Sequence, residues 1–165
     1  MENECLNYSA NYENICLVGD FNARTAEDLD YTETEYDEFS GMLDITNSHF
    51  LISDLNIDMN RKSMDKRKNN FVNVLLVFCK CNNMFICNGR VDQDKGHGQL
   101  TSKNASVIDY VICSTDFLKF VQDFSTLFSD IHTPLSLTIN NYVEVSSDNN
   151  THIDGEKKIQ KKMGE

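Results

Sequence analysis

Directly after the apolar run Ile15-Cys16-Leu17-Val18, Gly19 leads into Asp20, Phe21 and Asn22. If the chain stays extended there, Asp20 and Asn22 share one side and Phe21 takes the other. A carboxylate beside a carboxamide suits hydrolysis of a phosphate ester. The carboxylate can orient or deprotonate a water, and an amide N–H can stabilise charge developing on phosphorus. The same two residue types after a strand also shape turns and caps through side-chain to main-chain hydrogen bonds. Three more groups of suitable chemistry sit at ends or bends of expected strands: Asp109, Asp130 and His132. Asp109 lies among Val107, Ile108, Val111 and Ile112, where a buried charge needs a partner.

The elements that must position these groups follow from apolar patterning. Ile15 to Val18 reads as a buried strand, and so do Met84 to Cys87, Ser106 to Ser114, Val121 to Phe128 and Leu135 to Ile139. Phe71, Val74, Leu75 and Phe78 fall at i, i+3, i+4 and i+7, so the spacing predicts a helix between Asn69 and Asn83 with that face in the core. Asn69 or Asn70 is available as its cap. A shorter helix is expected from Thr115 to Phe120. Ser129 to Pro134 reads as a turn around the single proline, and a loose helical spacing precedes Ile15. Strands mixed with helices indicate an α/β (α+β) domain, in which strand ends can bring distant residues to one crevice.

Charge divides the middle of the chain. Residues 25 to 60 hold ten acidic side chains and no Lys or Arg, so they are expected mostly in solvent, with apolar islands at Met42-Leu43 and Phe50-Leu51-Ile52 touching the domain. Arg61, Lys62, Lys66, Arg67 and Lys68 then crowd together. They offer a nucleic-acid contact or, equally simply, partners for the acidic segment. A net charge of −11 argues against indiscriminate nucleic-acid binding. The six cysteines lie mostly in apolar runs, as reduced buried thiols do, and Cys79-x-Cys81 has no second pair to make a zinc site. His97 sits between two glycines in an expected exposed loop. No leader pattern and no bilayer-length apolar run is present, so a soluble intracellular protein is expected. One domain over 1–142, with an acidic then basic insertion at about 25–68, and a disordered polar tail over 143–165 complete the expected organisation.

In order, G-D-F-N at 19–22, N-G-R at 88–90 with a Gly-rich loop and Thr101, S-V-I-D-Y at 106–110, and S-D-I-H-T-P-L at 129–135 resemble the second half of the endonuclease/exonuclease/phosphatase superfamily. The wording is most similar to the endonuclease domains of non-LTR retrotransposons. The resemblance spans about Tyr12 to Ile139 and implies part of a four-layer α/β sandwich with two mostly antiparallel sheets between helices. It implies that Asp20 orients or activates the attacking water, Asn22 helps hold the scissile phosphate, and Asp109 fixes His132, which stabilises the pentacovalent phosphate. It further implies that Asp130 helps bind Mg²⁺ or Mn²⁺, that Asn88 and Thr101 line the site, and that the substrate is DNA.

Two departures accompany the resemblance. Ile131 separates Asp130 from His132, which the family pattern places side by side. Only fourteen residues precede Ile15, whereas the family's first half supplies a metal-binding Glu and another Asn; Glu2, Glu4 and Glu13 lack that strand context. The expectation is a truncated domain of impaired activity, with apolar sheet surface open to self-association or a partner chain. A catalytically inactive remnant serving as a protein-interaction module is the alternative, followed by a phosphatase or phosphodiesterase acting on lipid or nucleotide headgroups.

Overall fold

The computed structural model describes residues 14–32, 52, 55, 57–127, 132–140 and 156–160, the last as main chain alone. The described chain is mixed α and β, with two small antiparallel sheets. In order the elements are β1 (Cys16–Asp20), α1 (Val72–Cys81), β2 (Met84–Ile86), a 3₁₀ turn (Asp92–Asp94), β3 (Asp109–Ser114), α2 (Thr115–Leu118), β4 (Val121–Thr126), β5 (Leu135–Asn140) and β6 (Glu156–Gln160). The first sheet runs β1-β3-β2 and the second β4-β5-β6. No helix among the described residues is long and apolar enough to cross a membrane.

Alternation along β3 serves two cores at once. Tyr110 and Ile112 face one cluster, with Val72, Leu75, Leu76 and Cys79 of α1. Val111 and Cys113 face a second cluster, where Phe85 and Leu118 meet Phe124, Leu135 and Leu137 of the second sheet. A strand buried on both faces reads as a continuous apolar run, which explains why β3 was legible. Asp109, at its start, is the one carboxylate in that run.

The α1 face differs from expectation. Leu75 is buried and Phe78 packs partly buried against the core, but Phe71 is 56% exposed and Val74 71% exposed, and the fully packed set is Val72, Leu75, Leu76 and Cys79. Both sets have the same 3.6-residue period, so spacing alone cannot choose between them. Asn69 does not cap the helix with its side chain. Its Oδ1 accepts the Phe71 and Arg24 N–H groups, and its Nδ2 donates to the Asn22 carbonyl, which joins the start of α1 to the end of β1.

Asp30 and Ile52, both in the acidic segment, are buried. Asp30 is buried in a two-pronged ion pair with Arg90 at 2.7 and 2.8 Å, and its Oδ2 also accepts the Ile86 N–H. Ile52 is buried against the second core. Residues 156–160 pair with β5 as β6, main-chain hydrogen bonding that needs no apolar pattern. The expected elements before residue 14, the Met42-Leu43 island and most of the 129–134 turn lie outside the described residues.

Candidate active site

Pairing of β1 with β3 places the first two acidic groups. Cys16 lies opposite Cys113, Val18 opposite Val111, and Asp20 opposite Asp109. Flanking main-chain bonds, Ser114 N–H to Ile15 O and Phe21 N–H to Ile108 O, assign the alternate residues Ile15, Leu17, Gly19 and Phe21 to the hydrogen-bonded positions. Asp20 and Asp109 therefore form a pair of the non-hydrogen-bonded kind, whose side chains stand closest. Two like charges face each other at the end of the sheet.

His132 completes the cluster. Its Nδ1 lies 3.2 and 3.3 Å from the two Asp109 carboxylate oxygens, and one ligand-capable atom from each of Asp20, Asp109 and His132 falls within 4.8 Å of the others. An ionised carboxylate only accepts, so Nδ1 carries the proton and Nε2 is left for other work. Asp109 is buried, whereas the His132 side chain is 35% exposed and Asp20 is exposed. Burial raises the Asp109 pKa above the usual carboxylate value; the His132 and Thr101 hydrogen bonds oppose that rise, and the neighbouring Asp20 charge adds to it.

Thr101 and Asn88 act on the Asp109 main chain. Thr101 Oγ1 accepts the N–H groups of Ile108 and Asp109, both at 3.0 Å, while its carbonyl accepts the Thr133 N–H at 2.7 Å. The Thr101-Ser102 stretch also bridges to His132. One buried threonine thus ties the segment carrying the histidine to the strand carrying its carboxylate. Asn88 donates to the Asp109 carbonyl and accepts the Val111 N–H, continuing the β2 ladder with a side chain where the strand has ended. Both residues are buried and position the site from below.

Asn22 departs from the extended-chain reading. Asp20 Oδ1 accepts the Asn22 N–H at 2.8 Å, and Asn22 adopts φ 52°, so the chain turns immediately after Phe21. This is the side-chain-directed turn that Asp and Asn favour, and left-handed backbone suits asparagine better than most residues. Phe21 packs on the α1 core beside Tyr110. Asp130 and Ile131 lie outside the described residues.

The basic cluster is largely consumed by pairing. Arg61 is buried and donates to Ala26 O, Thr25 Oγ1 and Asp28 O, so it is not a surface contact for nucleic acid. Lys66 pairs with Glu27 and Lys68 with Asp28, at 2.7 and 2.6 Å. Arg67 donates to Ala105 O, and the Lys62 side chain is exposed. A bridge between Thr25 and Lys68 brings the two segments together. The mutual pairing that the sequence left open is what the structure contains.

Asp94 was not singled out by the sequence. Buried under the Gly-rich loop, it accepts the Gly89 and Gln99 N–H groups at 2.8 and 2.9 Å, and burial raises its pKa against those bonds. Gly89 and Gly98, both at positive φ, press on the Lys62 main chain where a side chain would collide. This loop brings Thr101 under Asp109. His97 is exposed on it. No family model matches the chain, and neither the curated proteins nor the solved structures contain a significant match.

Proposed function

We propose that the chain carries a phosphodiester-hydrolysing site of the retroelement DNA-nicking type, centred on Asp20, Asp109 and His132. The carrying observation is the cluster itself: a buried carboxylate on a half-exposed imidazole, with a second, exposed carboxylate directly across the strand pair. The ordered sequence resemblance supplies the reaction class. Two antiparallel sheets sharing one core, with α1 on the outer face of the first, are compatible with part of a four-layer sandwich.

The residues divide the work by exposure. Asp20, open to solvent, orients a water and accepts its proton as the oxygen attacks phosphorus. Asp109 holds the His132 ring through Nδ1–H and fixes its orientation, and a protonated ring presents Nε2–H to a phosphoryl oxygen as charge builds there. Thr101 and Asn88 keep the Asp109 main chain in place.

The exposed Asp20 carboxylate beside the Asp109–His132 pair also fits a divalent cation. A carboxylate oxygen suits Mg²⁺ or Mn²⁺. Such an ion, when bound, would supply charge neutralisation at the phosphoryl oxygens. Asp20 is the natural protein ligand, because Asp109 already engages His132.

The test is nicking of supercoiled plasmid DNA with Mg²⁺, Mn²⁺ or EDTA. Metal-dependent nicking lost in Asp20→Asn is expected; nicking equal in wild type and variant would refute the assignment.

A non-catalytic, self-associating module is the second reading. It draws on the exposed side of α1, where Phe71, Val74, Val77 and Phe78 line a groove with Phe21. It is excluded if light scattering shows a monomer at micromolar concentration.

A further inference from the structure

Cys16, Cys113 and Cys87 stand in a row across β1, β3 and the end of β2. The Cys113 sulfur lies 3.5 Å from that of Cys16 and 3.6 Å from that of Cys87. Cys87 donates its S–H to Cys113, which donates to Cys16. The row is not a three-ligand metal site: among the described residues, the group whose ligand atoms all lie within 4.8 Å of one another is Asp20, Asp109 and His132.

We propose that Cys16 and Cys113 form a redox-modification site, joined by an intramolecular cross-strand disulfide when the folded protein meets a hydroperoxide. The two cysteines are direct partners in the β1–β3 register. Theirs is a non-hydrogen-bonded pair, for which the Cα separation is about 4.5 Å. That lies within the roughly 4.4–6.8 Å window that a disulfide spans. Rotation about the side-chain bonds can close the remaining gap between sulfurs while the strands keep their pairing.

Exposure assigns the two roles. Cys16 is half-buried on edge strand β1, whereas Cys113 and Cys87 are fully buried. The hydrogen bond from Cys113 lowers the Cys16 pKa against the opposing effect of burial, and burial raises that of Cys113. The Cys16 thiolate attacks the terminal oxygen of hydrogen peroxide, giving a sulfenic acid and, after proton uptake, one water. The Cys113 sulfur then attacks the Cys16 sulfur. Its proton leaves with the departing hydroxide as a second water, so two thiols are oxidised by one peroxide. Buried Cys79 has its pKa pushed up to about 12 by desolvation and is poorly suited to compete.

The bond fixes the register that opposes Asp20 to Asp109, four residues farther along β1. The proposal rests on that pairing and holds whether or not Asp20 performs chemistry.

The test treats the native full chain with hydrogen peroxide, alkylates it in denaturant, and digests it with trypsin and a glutamate-specific protease. Cleavage after Glu13 separates Cys5 from Cys16. The free thiols should fall from six to four, with a Cys16–Cys113 peptide that dithiothreitol releases. Cys113→Ser should leave Cys16 as a sulfenic acid captured by dimedone, and Cys81→Ser should leave the link intact. Six persisting thiols in folded wild-type protein, a link between other cysteines, or only interchain links would overturn the proposal. The wild-type peptide map decides the matter even if a variant fails to fold.

Discussion

Two buried carboxylates show how one residue type takes opposite roles in this fold. Asp30 is saturated by both Arg90 terminal nitrogens and the Ile86 N–H, and Arg90 also donates to the Ile86 and Met59 carbonyls. Neither side chain reaches solvent. Asp109 has a single ring nitrogen as its ionisable partner within hydrogen-bonding distance, on a half-exposed histidine, and faces a second carboxylate. A closed pair of fixed charges can only hold structure. A buried carboxylate on a titratable ring can exchange protons, and its raised pKa reflects a charge the fold tolerates at some cost.

The comparison breaks first at its structural end. Arg90→Ala leaves Asp30 charged and unpaired in the core, and a loss of about 3–5 kcal/mol is expected in urea unfolding. At the functional end, His132→Ala should reduce nicking by about 10²–10⁴-fold, the range for losing a positioned proton donor, with a smaller loss of stability than Arg90→Ala, because Asp109, its pKa already raised by burial, can take up a proton when its partner is gone. Smaller than either is Asp65→Asn. Burial raises the Asp65 pKa, but the Arg24 bridge and the Arg67 and Val107 N–H groups outweigh it, leaving the value lowered. A carboxylate of lowered pKa stabilises the fold above its unfolded value of about 3.9, and the gain is lost as pH falls through the folded value. The variant should therefore lose about 1.5–3 kcal/mol at neutral pH, with a shallower acid limb in a pH series of unfolding curves. Lys66→Ala, at an exposed pair with Glu27, should cost only about 0.2–1 kcal/mol in low salt and less in high salt.

What the sequence made legible follows the same division. The strands and α1 announced themselves because their apolar runs exceed what a loop can carry, and Asp109 stood out as a charge amid β-branched residues. Its need for a partner was readable; the structure supplies His132, twenty-three positions later. Asp30 and Arg90 were not legible as a pair, because sixty residues separate them and each belongs to a region of ordinary polarity. Half of the α1 face was read correctly, since Leu75 and Phe78 pack on the core; Phe71 and Val74 were misread because they repeat with the same period as Val72, Leu76 and Cys79. Arg61 looked like one more surface cation until the turn at Thr25 closed over it. Asn22 followed the local turn chemistry that its type and neighbour favour.

The most direct measurement pairs two readouts on Asp109→Asn: plasmid nicking, and the free energy of unfolding across pH. Folding raises the Asp109 pKa, so the stability linked to its protonation is present at low pH and is lost as pH rises through the folded value. The asparagine cannot ionise and escapes that loss. The account predicts nicking reduced at least about 10²-fold, with stability at neutral pH equal to or above wild type. Nicking retained, or a loss of several kcal/mol like that expected for Arg90→Ala, would show instead that Asp109 and His132 are another structural pair.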